Sequence, residues 1–599
     1  MATINSLSPE LLEQIFEYVA ADSDKFKYLQ LSSTSEIFDT YPTIHPLLLV
    51  NKSFYASVRR IHDRHKHLII REESGDGDTQ KTLQFMSELL HDPPKTEVLK
   101  GIRDLTITCE LYWRHREVGP GEPGEPVNGS TYEKYIEEMV TLVSKIPKLR
   151  NLTFKGNRPI PLSLLRVLEK HQPQCHLHIR RWHRKSANMD HNDPAEIALA
   201  QSPNLRTITV ELWDDWSTGL DLRKYALKRI VLLSPHLESV DIKEGTWGCL
   251  LRSYSPHERA QMEELGAQFT TGKPSQNNIK SLTSRGGDHV KMLEDVTNMR
   301  KLESLDIGRI PNFDFFCPLT RRPRFENLKH LAVEMGHWYD PGTLLPETYL
   351  QDFLAVCSPL ESLKIVDQRG RVDLSVILDT HCHSLRKLHL HKSEPKHSDE
   401  SPDRHFLSLD GIREVRRRCP QLEEFTVDME RVPKQGQTRE ILEELARFEK
   451  LEKPTLYFPL DLVNLASPPD IPKAPSLLGF RNEMPADHVP AERFNRKYTS
   501  SWLENIYSLL LHQRKVNHLS PFKEVRIKLG EWERQPPMGL PCEWECLEGR
   551  HKRCFVLKQY ERDDSMDKIE IRILRLENIY EEKSVKEEIE IRQIVNWEP

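Results

Sequence analysis

The sequence has no run of eighteen apolar residues, so nothing in it is long enough to cross a bilayer as a helix, and no membrane partner is expected. Its N-terminus lacks a basic stretch leading into an apolar one, so no secretory signal is expected. Cysteine is sparse: ten residues, scattered, without the spacings of a disulfide framework. They read as reduced thiols, which sets the expected location as cytoplasmic, nuclear or both. Charge of one sign is lacking as well. The 85 Lys and Arg against 91 Asp and Glu leave a net charge of −6, which gives no electrostatic case for nucleic acid. No phosphate loop or dinucleotide fingerprint occurs, and no histidine accompanies a Ser or Cys in a nucleophile context. The expectation is therefore a protein that is not an enzyme and needs no cofactor. Hydrophobic residues make up 38% and charged residues 29%, on the polar side but sufficient for a core, so global disorder is not expected.

What is present begins at the N-terminus, with two short amphipathic helical patterns. Ser8 stands where its hydroxyl can cap a first turn, and Pro9 follows at the first helical position, where its missing N–H costs nothing. Leu7 and Leu12 can form a hydrophobic staple, and Leu11, Ile15, Phe16 and Val19 follow at helical spacing. In the second pattern, Leu47, Val50, Phe54, Val58 and Ile61 share one face, with Lys52, Arg59 and Arg60 off it.

This pair resembles an F-box, on Leu7, Pro9, Glu10, Leu11, Leu12, Ile15 and Phe16, then Leu47, Val50, Lys52 and Phe54. Here the proline follows Ser8 instead of following the leucine directly. The resemblance implies an all-α domain over residues 1–70 that docks on the Skp-type adaptor of a cullin-based (SCF) ubiquitin ligase. The implied adaptor contacts are Leu7, Pro9, Leu11, Leu12, Ile15, Phe16, Val19, Leu47, Val50, Phe54 and Val58.

Residues 71–99 read as a polar hinge and a helix over 79–92. From residue 100 a unit recurs, Leu-x-x-Leu-x-apolar. It appears at Leu149–Phe154, Leu205–Val210, Leu237–Ile242, Leu302–Ile307, Leu328–Val333, Leu360–Ile365, Leu385–Leu390 and Leu422–Val427, with Ile102–Ile107 as a first member. At Ile279–Leu282 it is weak, because Ser284 replaces the last apolar residue. The last two apolar positions stand two apart, so a strand turns both to one face. Helical patterns at Tyr135–Ile146, Leu350–Cys357, Leu374–Cys382 and Ile412–Cys419 precede the strands. From 302 to 328 the interval is 26, then 32, 25 and 37; leucine-rich repeats recur at about 20–29.

The array is similar to the leucine-rich repeats of F-box proteins. Cys357, Cys382 and Cys419 each stand three residues before the first leucine of a unit, with Ser202 and Ser234 in the same place elsewhere. A buried packing role at a helix-to-strand corner is expected for them. The expected fold is thus α/β: the all-α F-box, an irregular strand-plus-helix solenoid over 100–454, and over 455–599 a Pro-rich segment and a mixed α/β cap.

Three clusters suggest sharper chemistry. Cys542, Cys546, His551 and Cys554 are four soft ligands, but their spacing matches no zinc knuckle or ribbon, so a hairpin without metal is expected. Trp213, Trp216, Trp338 and Tyr339 follow repeat strands and are candidate target contacts, or rings covering the edge of a local core. The run Arg416–Arg418 ends a helical pattern and suits its dipole. The function these readings imply is a substrate-recognition subunit of an SCF-type ligase with an unidentified protein target. The alternative is a non-catalytic repeat scaffold in a complex without ubiquitin transfer.

Overall fold

Each recurring unit becomes a strand, and from β1 to β5 and again from β8 to β14 consecutive strands pair side by side. The computed structural model describes residues 64–71, 77–110, 129–156, 159–182, 191–213, 222–245, 255–270, 278–284, 287–294, 296–310, 325–335, 346–366, 372–392, 407–429, 437–458, 500–530, 553–560, 568–574, 588–589 and 595–596. It also describes Ser8, Leu11, Leu12, Ile15, Phe54, Tyr55, Ser57 and Arg184. The chain forms two compact units, one of Met1–Lys243, Ser253–Ser281 and Met292–Asn298, the other of Glu244–Arg252, Leu282–Lys291 and Met299–Pro599.

The first unit contains β1 (His65–Arg71), α1 (Gly77–His91), α2 (Pro93–Gly101), β2 (Asp104–Glu110), α3 (Gly129–Lys145), β3 (Asn151–Gly156), α4 (Leu162–His171) and β4 (His176–Trp182). It continues with α5 (Pro194–Gln201), β5 (Leu205–Trp213) and α6 (Arg223–Leu233). β6 (Ser239–Gly245) begins in this unit, which also holds α7 (Pro256–Ala267). β1 to β5 pair in parallel, each with the next. The register slips between β4 and β5 from Ile179 to Trp182, and Arg181 there has φ 64°, the left-handed backbone of a bulge.

β7 (Ser281–Ser284) and α8 (Gly287–Leu293) fall where the chain divides. The second unit continues with β8 (Ser304–Ile310), β9 (His330–Met335), α9 (Pro346–Val356), β10 (Ser362–Val366), α10 (Leu374–His381), β11 (Lys387–His391), α11 (Leu409–Arg418) and β12 (Glu424–Asp428). Then come α12 (Gln437–Leu445), β13 (Lys453–Phe458), α13 (Ser500–Val516), β14 (Val525–Leu529), β15 (Arg553–Tyr560), β16 (Lys568–Leu574), β17 (Glu588–Ile589) and β18 (Val595–Asn596). β8 to β14 pair in parallel, each with the next. The direction reverses at β15, and β16 follows antiparallel, with β17 and β18 on its far side. The protein is thus α/β, with open, mostly parallel sheets alternating with helices.

Strand and helix meet through the residues the pattern predicts. Leu305, Ile307, Leu331, Val333, Leu363 and Ile365 are buried on the helix side of β8–β10. α3 meets its sheet with Tyr135, Met139, Leu142 and Val143, one helical face. Each such side chain contributes about 1.5–3 kcal/mol by leaving water. Among the described residues, no helix is long and apolar enough to cross a membrane.

Among the described residues, the position three residues before a unit's first apolar residue is a buried corner. Leu99, Ile146, Gln172, Ser202, Ser234, Met299, Phe325, Cys357, Cys382, Cys419 and Phe448 occupy it. Polar residues at or beside it tie the corner to the preceding unit. Gln172 Nε2 donates to the Ile146 carbonyl (2.5 Å), Asn204 Nδ2 to that of Cys175 (2.8 Å) and Ser234 Oγ to that of Ala200 (3.0 Å). Ser358 Oγ donates to the Glu326 carbonyl and Ser384 Oγ to the Leu360 carbonyl, each at 2.7 Å.

The structure departs from the sequence reading in three places. β1 is a strand inside the stretch expected to be all-α, residues 1–70, and it pairs with β2. The parallel ladder does not stop at residue 454, because β13 and β14 carry it to Leu529, and only β15 departs from it. Strands also form at β4, just after Cys175, at β13, just after Leu451, and at β7, where Ser284 is fully buried in the last apolar place.

One helix in the first unit depends on a glycine. A Cβ at Gly266 in α7 would stand 2.3 Å from the Tyr225 ring of α6. Alanine is the better helix former by about 1 kcal/mol, yet Gly266→Ala should destabilise the protein by about 1–3 kcal/mol through overpacking. Urea denaturation measures it. A variant as stable as wild type would mean that α7 does not press on Tyr225, and adding Tyr225→Ala should remove the penalty of Gly266→Ala.

Candidate functional site on the outward strand face

Alternate strand residues face away from the helices, and parallel register aligns them in rows across the sheet. In the second unit, the row nearest the strand starts runs Ser304, His330, Ser362, Lys387, Glu424, Lys453. The next runs Asp306, Ala332, Lys364, His389, Thr426, Thr455, Arg526. Nearest the strand ends, Asp428 lies opposite Tyr457, and Tyr457 opposite Lys528.

These rows are cross-linked. His389 Nδ1 and Thr426 Oγ1 share a hydrogen bond of 3.0 Å, and His391 Nδ1 and Asp428 Oδ1 one of 2.7 Å. The Lys392 backbone N–H donates to Asp428 Oδ2 at 2.7 Å. The Tyr457 ring lies 4.0 Å from that of His391, and Lys528 Nζ donates to its hydroxyl at 2.6 Å. Glu424 stands between two cations, Lys387 at 3.0 Å and Lys453 at 3.5 Å. Tyr457 and His391 are only 3% and 4% exposed although they face away from the helices.

The first unit repeats the device. His178 Nδ1 and Thr207 Oγ1, Cα partners on β4 and β5, are 3.0 Å apart. Asn151 Nδ2 donates to Asp104 Oδ1 at 2.5 Å, and Asn151 Oδ1 lies 3.4 Å from His178 Nε2. Burial holds the His178 imidazole below its usual range, and His176 and Arg180 press the same way. What such a face offers is binding: hydroxyls, imidazoles and ammonium groups repeated at the strand spacing.

The N-terminal site is described at a few residues. The Leu11 N–H lies 3.4 Å from the Ser8 hydroxyl, and the Leu12 N–H donates to the Ser8 carbonyl at 3.0 Å, so Ser8 starts the helix as its position predicts. Leu12 is fully buried and Phe54 is 3% exposed, whereas Leu11 is 47% and Ile15 39% exposed, one turn apart on one face. Tyr55 is exposed too. Leu7, Pro9, Phe16, Val19, Leu47, Val50 and Val58 lie outside the described residues.

Of the four candidate target aromatics, Trp213 ends β5, and Trp216, Trp338 and Tyr339 lie outside the described residues. Of the four soft ligands, Cys554 sits in β15 opposite Lys528 and Leu574, and Cys542, Cys546 and His551 lie outside. The corner thiols and that of Cys175 are buried, and burial pushes those of Cys175, Cys357 and Cys419 up to about 12, so they remain neutral and inert. The run Arg416–Arg418 is occupied in structural pairs, with Glu444 (2.5 Å), Glu414 (2.7 Å) and Asp379 (2.7 Å) in turn.

Sequence reasoning missed the rows, since they join residues 37 apart, such as His389 and Thr426, through a register that unequal loops conceal. The alternation Lys-x-His-x-His in Lys387–His391 was the available signal. Searched against known proteins, the chain matches no family model and no curated protein.

Proposed function

We propose that this chain is the substrate-recognition subunit of an SCF-type ubiquitin ligase. Its N-terminal helices would dock the Skp-type adaptor, and its strand-and-helix array, read as an irregular leucine-rich-repeat solenoid, would present a protein target. The chain itself would supply no catalytic group; its contribution is proximity, which raises the local concentration of target lysines.

The observation that carries the reading is the split among apolar residues of the first helix. Leu12 is buried, yet Leu11 and Ile15 lie side by side in water. Keeping such a pair exposed forgoes burial unless a partner covers it. The succession of parallel strands and helices behind it supports the array.

The test is a pulldown with the adaptor subunit. Wild type should bind, and Leu11→Asp with Ile15→Asp should abolish capture, since central apolar anchors are worth about 2 kcal/mol or more each. Both side chains are exposed, so the double variant should keep its far-UV circular dichroism and melting temperature. Capture of the double variant equal to wild type, or no capture of wild type, would sink the reading.

A further inference from the structure

We propose that the strand-start edge of the first unit, where α2, α3 and α4 turn into β2, β3 and β4, docks a carboxylate-rich segment of a protein target through Arg103, Lys145, Lys148, Arg150 and Lys170. The proposal names the class of target for the receptor reading above and rests on that reading for its biological purpose.

Charge is segregated along this edge. No Asp or Glu occurs from Val98 to Arg103, from Met139 to Arg150 or from Lys170 to His176, the stretches that end the three helices and lead into the strands. Lys145, Lys148, Arg150 and Lys170 are exposed, and Arg103 is half-buried. Among the described residues, none of the five has a carboxylate within ion-pair distance. Asp104 comes next in the chain, but its Oδ1 accepts Asn151 Nδ2 at 2.5 Å. The patch ends at β5, where Arg206 meets Glu238 at 3.9 Å. The chain as a whole is at −6, so an edge without acids runs against its general balance.

The second unit fills the same place differently. Just before β8 to β12 stand Glu303, Lys329, Glu361, Arg386 and Glu423, alternating in sign. Neighbours there pair, Lys329 with Glu303 at 3.9 Å and Arg386 with Glu423 at 2.9 Å. Just before β1 to β3 stand Arg64, Arg103 and Arg150. Their backbones are joined, the Arg103 N–H donating to the Arg64 carbonyl at 2.8 Å and the Arg150 N–H to the Arg103 carbonyl at 2.7 Å. Like charges on adjacent strands repel. Burial, then the charges of Arg150 and Arg64, hold the Arg103 guanidinium below its usual range, and Asp104 pulls the other way. An anionic partner relieves that repulsion.

Arg103 is also held in place for such a partner. Its Nη1 donates to the carbonyls of Lys100 (3.0 Å), Gly101 (3.2 Å) and Ile102 (3.0 Å), which fixes the guanidinium against the end of α2. Its Nε and Nη2 make no bond among the described residues, and that edge of the fork suits a carboxylate. The cations stand on three successive strand starts, about 10 Å from first to last. Separate charges along an extended segment match that spread better than one compact dianion. Nucleic acid fits less well, because the three stretches contain no Phe, Tyr or Trp on which a base would stack.

The experiment uses the full chain and isothermal titration calorimetry at low salt. The probe is a hexaglutamate peptide with neutral Gly-Ser flanks, and hexaglutamine in the same flanks is the control. Hexaglutamate should bind and hexaglutamine should not, and added salt should weaken the binding. Lys148→Gln with Arg150→Gln should weaken it about fivefold, two exposed ionic contacts being lost. Both side chains are exposed, so the melting temperature should stay at the wild-type value. Lys450→Gln with Lys515→Gln removes the same charge from exposed positions of the second unit and should leave the affinity unchanged.

Equal affinity of wild type for the two peptides, or equal affinity of wild type and the Lys148/Arg150 variant for hexaglutamate, overturns the proposal. So does a matching loss in the Lys450/Lys515 variant, or an oligothymidylate of the same charge that binds more tightly through Lys148 and Arg150. The adaptor pulldown is independent of this measurement. Peptide binding without adaptor capture would leave the docking edge standing and remove the ligase reading, and the reverse result would do the opposite.

Discussion

Glu196→Leu should cost about 3–5 kcal/mol of stability, the penalty for leaving buried charge uncompensated. Glu196 sits in α5, where the Asp193 side chain caps the helix by accepting the Glu196 N–H at 2.8 Å. Its carboxylate takes Arg184 Nε at 2.5 Å on one oxygen, and on the other Arg184 Nη2 and Arg229 Nη2, each at 3.1 Å. All three side chains are buried. Both guanidiniums also lie over the Phe269 ring, Arg184 at 5.3 Å and Arg229 at 5.0 Å. Arg229 donates to the His191 carbonyl as well. Burial pushes the Glu196 carboxyl up, and the bonds and charges of Arg184 and Arg229 pull it back.

Removing the carboxylate leaves two cations facing one another away from water. Replacing all three by apolar residues (Arg184→Met, Glu196→Leu, Arg229→Met) should restore most of the loss, because none of the three charges then needs desolvating. Guanidinium denaturation of both variants decides it. A single variant within about 1 kcal/mol of wild type, or a triple variant no better than the single one, would show that the cluster does not behave as a closed buried charge set.

Acid should weaken the second unit through His381. This side chain is fully buried at the end of α10, and its Nδ1 accepts the Leu360 N–H at 3.2 Å. The ring proton therefore sits on Nε2. Burial lowers the pKa to about 4, partly offset by the Leu354 carbonyl. An unfolded chain titrates this group near 6.5. Between those values the unfolded state binds the extra proton, so stability is full above pH 6.5 and falls as pH drops towards 4. The loss over that window is about 3 kcal/mol.

Protonating Nδ1 would also take the acceptor from Leu360. His381→Gln keeps an acceptor but cannot titrate, so its deficit relative to wild type should shrink steadily on acidification. Denaturation midpoints of the two proteins across this window give the measurement. Parallel pH curves would mean that His381 is not the group responsible.

How far the sequence discloses this structure depends on what a single segment can encode. Leu302-x-x-Leu305-x-Ile307 and its counterparts mark β8 to β12 because burial on one side imposes a two-residue period. The corner position was visible in Cys357, Cys382 and Cys419, but not in Leu99 or Phe448, whose types are ordinary for any core. β13 escaped because Pro454 replaces the second leucine. It stands second in the strand, near the start, where its missing N–H disturbs the ladder least. β4 escaped because Cys175-His-Leu177-His-Ile179 carries the alternation without the leucine three residues earlier. The Arg184–Glu196–Arg229 cluster has no motif, since its members meet only after α5 and α6 pack. Of the N-terminal pair, residue types named Leu11, Leu12 and Ile15 together, and only packing separated the buried one from the two that face water.

The corner bonds have a direction. Gln172, Asn204, Ser234, Ser358 and Ser384 all donate to carbonyls earlier in the chain. Backbone N–H groups at the starts of β9 to β13 do the same, as Arg386 and Lys387 to Glu361 and Glu423 and Glu424 to Arg386, whereas Leu177 at the start of β4 donates forward to Asn204. A chain leaving the ribosome N-terminus first would thus offer each new unit acceptors already set in place. Growth would run as templated addition, with the newest segment held by its predecessor.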